Sequence, residues 1–182
     1  MHDWLVEELV VVEANLDDIT AEAVAFASER LFAGAGALDV WTTAATMKKS
    51  RPGLVLHCLC RPAAAPKALE VLFQETSSIG ARVQRVERYA LRRSMQTLAV
   101  ELPLLPSAAG TADTADTAAA SMVRCDIRCK VATLDGRVVN AKPEFEDCAA
   151  VARQHPSVTL QAVQRAAQAA AGGLWGGSAS DP

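Results

Sequence analysis

Seven residues, Met47-Lys48-Lys49-Ser50-Arg51-Pro52-Gly53, constrain this chain more than any other stretch. They crowd three cations, a hydroxyl and a turn-forming Pro-Gly pair between two strand-like segments, Leu38 to Thr46 and Leu54 to Cys60. Cations at this density are poor core material, so the flanking strands are expected to form a hairpin with its tip in water. Lys supplies point charges and Arg a planar fork, which together suit phosphate or carboxylate. The plainer use of such a tip is a solvated turn kept soluble by charge, and that use is the commoner one.

The segments around the hairpin set the fold class. Leu9 to Glu13 is a short β-branched run that reads as a buried strand. The acidic stretch Glu13-Ala-Asn-Leu-Asp-Asp-Ile-Thr20 follows, and Asp18 or Thr20 can cap the next helix. That helix runs to about Ala33, with Ala23, Ala27 and Leu31 on one stripe beside Val24, and Gly34 and Gly36 end it. After the hairpin a second helix begins near Pro66. Its expected inner face is Leu69, Leu72, Phe73 and Thr76, with Gly80 as a left-handed stop. A strand from Ala81 to Leu91 completes the order β-α-β-β-α-β over residues 8–92. This is the ferredoxin-like arrangement of an α+β fold, two helices on one face of a four-stranded sheet.

Residues 93–172 read as a small α+β subdomain, a β-ribbon plus two helices. Ser94 to Leu102 and Met122 to Val131 alternate as strands, and Asp135-Gly136 signals a tight hairpin back to Asn140. Helices follow from Lys142-Pro143 to about Gln154 and after Pro156-Ser157, the latter with Leu160, Val163, Ala167 and Ala170 on one side. The Ala/Thr/Asp-rich stretch 104–120 is expected to be a flexible insertion and 173–182 a loose tail.

Composition narrows the function. The chain has 182 residues, 51% of them hydrophobic, enough for a proper core. Its 18 Lys and Arg against 21 Asp and Glu give a net charge of -3, and aromatics are 4%. Neither an excess of cations nor a stacking platform for nucleic acid is present. No stretch has the length of uncharged apolar residues that a membrane span requires, and the first eight residues lack the pattern of a signal peptide. Five cysteines, an odd number in a chain that needs no staples, read as reduced thiols and place the protein in the cytoplasm.

Six motifs occur together and in order: Glu13-Ala-Asn-Leu-Asp-Asp18, the Leu31 to Val40 run, Met47 to Gly53, Glu75-Thr-Ser-Ser-Ile-Gly-Ala-Arg82, Val86-Glu-Arg-Tyr89, and Lys142-Pro-Glu-Phe-Glu-Asp-Cys148. Over roughly Val10 to Ala170, leaving out the insertion, this set resembles the C-terminal domain of the LarC family of nickel insertion proteins. The resemblance implies a CTP-dependent nickel chelatase (a lyase) that loads nickel into a pyridinium bis-thiocarboxylate mononucleotide. It implies that this part binds CTP with a divalent ion, and that it assembles as a homo-oligomer, a trimer or a hexamer. Full-length family members carry a larger N-terminal domain to which nothing here corresponds. The expectation is therefore a nucleotide-binding half that works with a separately encoded partner or has lost the reaction. A noncatalytic oligomerisation or nucleotide-sensing module is the alternative.

Placed on that outline, Lys48, Lys49, Arg51, Arg82, Arg88 and Lys142 are the candidate nucleotide-binding cations. Glu13, Asp17 and Asp18 are candidate ligands for Mg²⁺ or Mn²⁺, hard cations that prefer oxygen. Helix capping explains Asp17-Asp18 equally well. For Glu144, Glu146 and Asp147, complementing a helix dipole is the preferred reading. For Arg85, Arg92 and Arg93 it is guarding an exposed sheet face or edge. Cys58 with Cys60, and Cys125 with Cys129, could offer thiolates to nickel, but burial as small hydrophobes is preferred. His57 reads as a structural strand histidine.

Overall fold

The run expected as a short strand grows to twelve residues in β1 (Leu5–Leu16); Leu9 is buried, and from Val10 onward the even positions Val10, Val12, Ala14 and Leu16 are buried while Val11, Glu13 and Asn15 are more exposed. The computed structural model describes residues 2–103 and 122–175. Contacts divide it into two units, Val6–Ala90 and a second made of Met1–Leu5 with Leu91–Pro182.

In the first unit β1 leads into helix α1 (Ala21–Gly34), then β2 (Ala37–Met47), a three-residue turn at Lys48–Ser50, β3 (Arg51–Cys60), helix α2 (Ala65–Glu75) and β4 (Arg82–Ala90). The sheet order is β2-β3-β1-β4, with β3 antiparallel to both β1 and β2. That is the ferredoxin-like α+β arrangement expected from the element order. The core lies between the sheet and its two helices, where Val12, Leu16, Leu56 and Cys58 meet Ala27 and Leu31 of α1 and Ala68 and Leu72 of α2.

Local chemistry sets the helix ends. Thr20, not Asp18, caps α1, its Oγ1 accepting the Ala23 N–H at 3.3 Å. The chain leaves that helix through Gly36 at φ +66°. In α2 the buried positions are Ala65, Ala68, Val71 and Leu72, so the inner face is turned from the one expected. Phe73 remains 45% exposed. Thr76 ends α2 by donating its hydroxyl to the Leu72 carbonyl at 2.7 Å. The left-handed glycine expected at Gly80 is not needed, and its φ is not positive.

The second unit contains β5 (Arg92–Pro103), β6 (Met122–Leu134), β7 (Arg137–Pro143), α3 (Phe145–Gln154) and α4 (Leu160–Gly172). The strands form an antiparallel sheet in the order β5-β6-β7. Asp135 and Gly136, at φ +51° and +75°, make the tight turn between the last two. Val100, Leu102 and Ile127 bury against Cys148, Val151, Val163 and Ala167 of the two helices. Asp3 and His2 join this unit by bonding at Asp135. The insertion 104–120 lies outside the described residues, as does all of the tail beyond Trp175.

Candidate functional site

From the Asp39–Leu59 pair the β2–β3 ladder runs without a break to the Met47–Arg51 pair, so only Lys48, Lys49 and Ser50 lie beyond it. Pro52 and Gly53, expected in the turn, are ladder residues opposite Thr46 and Ala45. The turn is carried by Lys49 and Ser50 at φ +61° and +57°, two successive non-glycine residues in the left-handed region. Such backbone persists only where the surroundings hold it, and it concentrates at ligand-binding loops. Glycine at 53 serves a different need. A Cβ there would stand 2.5 Å from the Leu16 carbonyl oxygen and 3.2 Å from the Asp17 Cα. Gly53 thus lets the base of the hairpin press on the end of β1.

That approach joins the basic and acidic stretches. Arg51 Nη1 lies 3.3 Å from Asp17 Oδ2. An open cavity of about 370 Å³ is lined by Asn15, Asp17, Thr46, Met47 and Lys48. Asp18 accepts a hydrogen bond from the Ser77 hydroxyl, just beyond α2. With Thr20 serving as the cap, neither aspartate is used to start the helix. Lys48 and Lys49 form no ion pair among the described residues.

Across the outward face of the same sheet runs a polar chain that links all four strands. Arg82 of β4 donates Nε–H to Glu13 Oε1 at 2.7 Å and Nη2–H to Asn15 Oδ1 at 2.7 Å. His57 Nδ1 stands 3.0 Å from Glu13 Oε2, and its Nε2 stands 3.0 Å from the Thr43 hydroxyl. Trp41 stacks on the His57 ring, centroids 4.9 Å apart and planes within 3°. Cross-strand register makes this possible, since Trp41, His57 and Glu13 are direct neighbours in one row. The bonded Arg82 guanidinium holds the Glu13 carboxyl below the usual carboxylate range; burial opposes this and His57 adds to it.

The remaining candidates are more dispersed. Arg88 directs Nε and Nη2 at Glu7 Oε2, at 2.9 and 2.6 Å. Lys142 belongs to the second unit, beside a cavity of about 260 Å³ lined also by Phe145, Gln164 and Gln168. Near it Lys130 pairs with Glu144 at 2.9 Å, and Arg128 clasps Asp147 through its backbone N–H, Nε and Nη2. Arg128 keeps the Asp147 carboxyl low. These acids of the α3 start are therefore matched to strand cations rather than grouped around a common point.

Both oxygens of Glu13 are committed to Arg82 and His57, which leaves Asp17 and Asp18 as the more available members of the candidate metal set. Among the described residues no three His, Cys, Asp or Glu side chains gather as a metal cage. The thiols offer none either. Cys58, Cys60, Cys129 and Cys148 are buried, and burial pushes the Cys58 thiol up to about 12. Sequence reasoning missed Asn15, Thr43 and His57 as parts of one network. The available signal was Glu13 and Asn15 at odd positions of a stretch whose even positions, Val10, Val12, Ala14 and Leu16, are apolar.

The family profile described as "Nickel insertion protein" matches residues 2–164. A relative from Cyanothece sp. is 40% identical over 149 residues, 82% of this chain and 31% of that protein. The pyridinium-3,5-bisthiocarboxylic acid mononucleotide nickel insertion protein of Clostridium kluyveri is 35% identical over 149 residues, 82% of this chain and 32% of that one. The chain thus spans about a third of the length of these curated relatives. Among solved structures it is similar to the apo form of LarC2, the C-terminal domain of a cyclometallase involved in the synthesis of the NPN cofactor of lactate racemase. That match has a TM-score of 0.73 and 30% identity, over 91% of this chain and 98% of that one. A Methanopyrus kandleri protein shares the fold at a TM-score of 0.60 and 20% identity, over 93% of this chain and 92% of that one. Among the described residues no helix is long and apolar enough to cross a membrane. On the match over most of its length, the chain belongs to the nickel insertion protein family.

Proposed function

We propose that this chain is the nucleotide-binding part of a nickel insertion machine: it binds CTP together with Mg²⁺ or Mn²⁺ and serves in loading nickel, the cargo, into a pyridinium mononucleotide. The observation that carries this reading is the contact of Arg51 with Asp17, which sets the Lys48-Lys49-Ser50 turn beside the acidic end of β1. A triphosphate needs several cations and a hard metal ion. Mg²⁺ is commonly held by one or two carboxylates with substrate phosphates completing its shell. Asp17 and Asp18 fit that number without a protein-only cage. Lys48, Lys49 and Arg51 would face the phosphates, with Arg82 as a further cation along β4. Arg88 and Lys142 are weaker members of the set, Arg88 being already engaged by Glu7.

Self-association into a trimer or hexamer belongs to the same reading. Phe26 and Phe32 of α1 and Phe73 of α2 stand about half exposed, which supports a buried position in an assembly. Calorimetry with CTP, with and without Mg²⁺ or Mn²⁺, tests the core of the proposal. Metal-dependent binding that is lost in Lys49→Ala and Asp17→Asn supports it, and no binding overturns it. A second assay supplies the remaining length of a relative in trans and follows nickel transfer. Loading separates a working chelatase part from a noncatalytic oligomerisation or nucleotide-sensing module.

A further inference from the structure

We propose that Arg82 is a preorganised anion anchor on the open sheet face, and that Thr43, His57, Glu13 and Asn15 are the positioning residues that aim it. The inference rests on the nucleotide-binding reading above and deepens it by naming how one phosphate-binding group is held.

An arginine has five N–H donors in a rigid fork. Here Nε and one Nη2 hydrogen are spent on Glu13 and Asn15, each at 2.7 Å. The Nη1 hydrogens and the second Nη2 hydrogen remain, and they form the outer edge of the fork, the edge that meets an oxyanion end-on. The side chain is 52% exposed while its carboxylate partner is 14% exposed, so the anchored side is covered and the outer edge is open. A guanidinium fixed in this way gives up little rotamer freedom when an anion arrives, which is the usual route to affinity through preorganisation.

Glu13 itself is fixed from the other side. His57 Nδ1 donates to Oε2, and His57 is fixed in turn by the Thr43 hydroxyl at Nε2 and by the Trp41 ring stacked upon it. A second-layer chain of this kind orients the group that touches the ligand, as outer-shell partners do in metal sites. The hydrogen-bond chain crosses all four strands, and a plain edge guard such as Arg85, paired among the described residues with Glu8 alone, has nothing comparable behind it.

The test is binding of CTP with Mg²⁺ to the whole chain, measured by calorimetry for wild type, Arg82→Lys, His57→Gln, Glu13→Gln and the double variant His57→Gln/Arg82→Lys. Arg82→Lys keeps the charge and loses the fork, and is expected to weaken binding about tenfold. His57→Gln is expected to weaken it about threefold in the wild-type background and to have no further effect once Arg82 is Lys, because a positioning residue acts only through what it positions. In a Trp4→Phe/Trp175→Phe background, emission from Trp41 excited at 295 nm is expected to shift on CTP addition and to stop shifting when Arg82 is Lys. A wild type that binds CTP while Arg82→Lys binds within twofold of it overturns the inference and leaves the loop reading standing. So does a His57→Gln effect that persists in full beside Arg82→Lys. A wild type with no CTP affinity overturns both. Thermal melts on each variant identify those that fail to fold, and Glu13→Gln, which keeps an acceptor toward Arg82, then takes the place of His57→Gln.

Discussion

Arg51 and Asp17 meet at 3.3 Å although 34 residues separate them, and the contact exists because Gly53 lets the hairpin base close on the end of β1. The pair is half exposed on the arginine side, so it contributes little to folding. An ion pair of this kind is worth about 0–1 kcal/mol. Arg51→Ala is therefore expected to shift the melting temperature by no more than a few degrees. On the proposed reading the same change is expected to lower CTP affinity about tenfold or more, since it would remove a charge-assisted donor to the phosphates. Parallel melting and calorimetry check both halves; a large loss of stability with unchanged affinity would contradict the reading.

Gly53→Ala is expected to destabilise the first unit by roughly 1–3 kcal/mol, the usual range for forcing extra atoms into a packed place. The obstacle is backbone, the Leu16 carbonyl oxygen at 2.5 Å, so it cannot swing aside as a side-chain end would. Gly80→Ala is the matched control. Nothing lies within 4 Å of its added Cβ and its φ is not positive, so it is expected to be neutral or to stabilise by about 0.4–1 kcal/mol. Urea titration of the two variants distinguishes close approach from a general need for glycine.

The order of elements was legible because each signal is local. A β-branched run, Thr20 before an apolar stripe, Gly36 after it and Asp135-Gly136 between alternating segments all act within a few residues. What was not legible depends on register and tilt. The inner face of α2 is Ala65, Ala68, Val71 and Leu72, and the rotation that puts the small alanines inward and Phe73 outward is set by the tertiary contact rather than by the periodicity. Pro52-Gly53 looks like a turn because those residues usually make one, but the positive φ values fall on Lys49 and Ser50. Glu13 was singled out as a carboxylate, yet its partners His57 and Arg82 come from strands 44 and 69 residues away. Only the pairing of β1 with β3 puts Glu13 opposite His57, and that pairing is a property of the folded sheet.

The left-handed turn at the hairpin tip separates conformation from charge. Ser50→Gly relieves about 1–2 kcal/mol of left-handed strain. It also adds about 0.5–1 kcal/mol of chain entropy to the unfolded state. The variant is expected to be neutral or slightly more stable and to keep its CTP affinity. Ser50→Val places a β-branched residue at φ +57°, a genuine outlier position, and is expected to lose more than about 1 kcal/mol and to bind CTP more weakly. Denaturant midpoints and CTP titrations read the two effects independently.

Asp147 gives a pH signature in the second unit. Its carboxyl is depressed chiefly by the hydrogen bond from the Arg128 side chain, with burial opposing. A carboxylate depressed in the folded state binds fewer protons there than when unfolded, so stability rises with pH across that interval. The contribution is fully present above about pH 4, the ordinary aspartate value, and is lost as the pH falls through the lower folded value. Asp147→Asn is expected to lower stability at neutral pH and to flatten this acid limb. Guanidinium unfolding between pH 2.5 and 7 checks it, and an unchanged limb would show that the Arg128 contact does not persist in solution.

Thiol reactivity tests the claim that the cysteines are core residues and not nickel ligands. The reactive species is the thiolate, and burial raises all five thiols, Cys58 to about 12. Only Cys125 is less than fully buried, with its Sγ 3.6 Å from the Val100 carbonyl oxygen. In the native protein a disulfide reagent is expected to modify at most Cys125 over minutes, and the sulfhydryl count is expected to reach five only after unfolding. Cys125→Ser should remove the native reaction and leave CTP binding unchanged. Nickel added to the native protein is expected to protect no thiol, because a deprotonated pair at Cys58 and Cys60 would require opening the core formed with Leu31 and Leu72. Nickel-dependent protection of Cys58 or Cys60, or a thiolate-to-nickel charge-transfer band, would assign those residues to the metal instead.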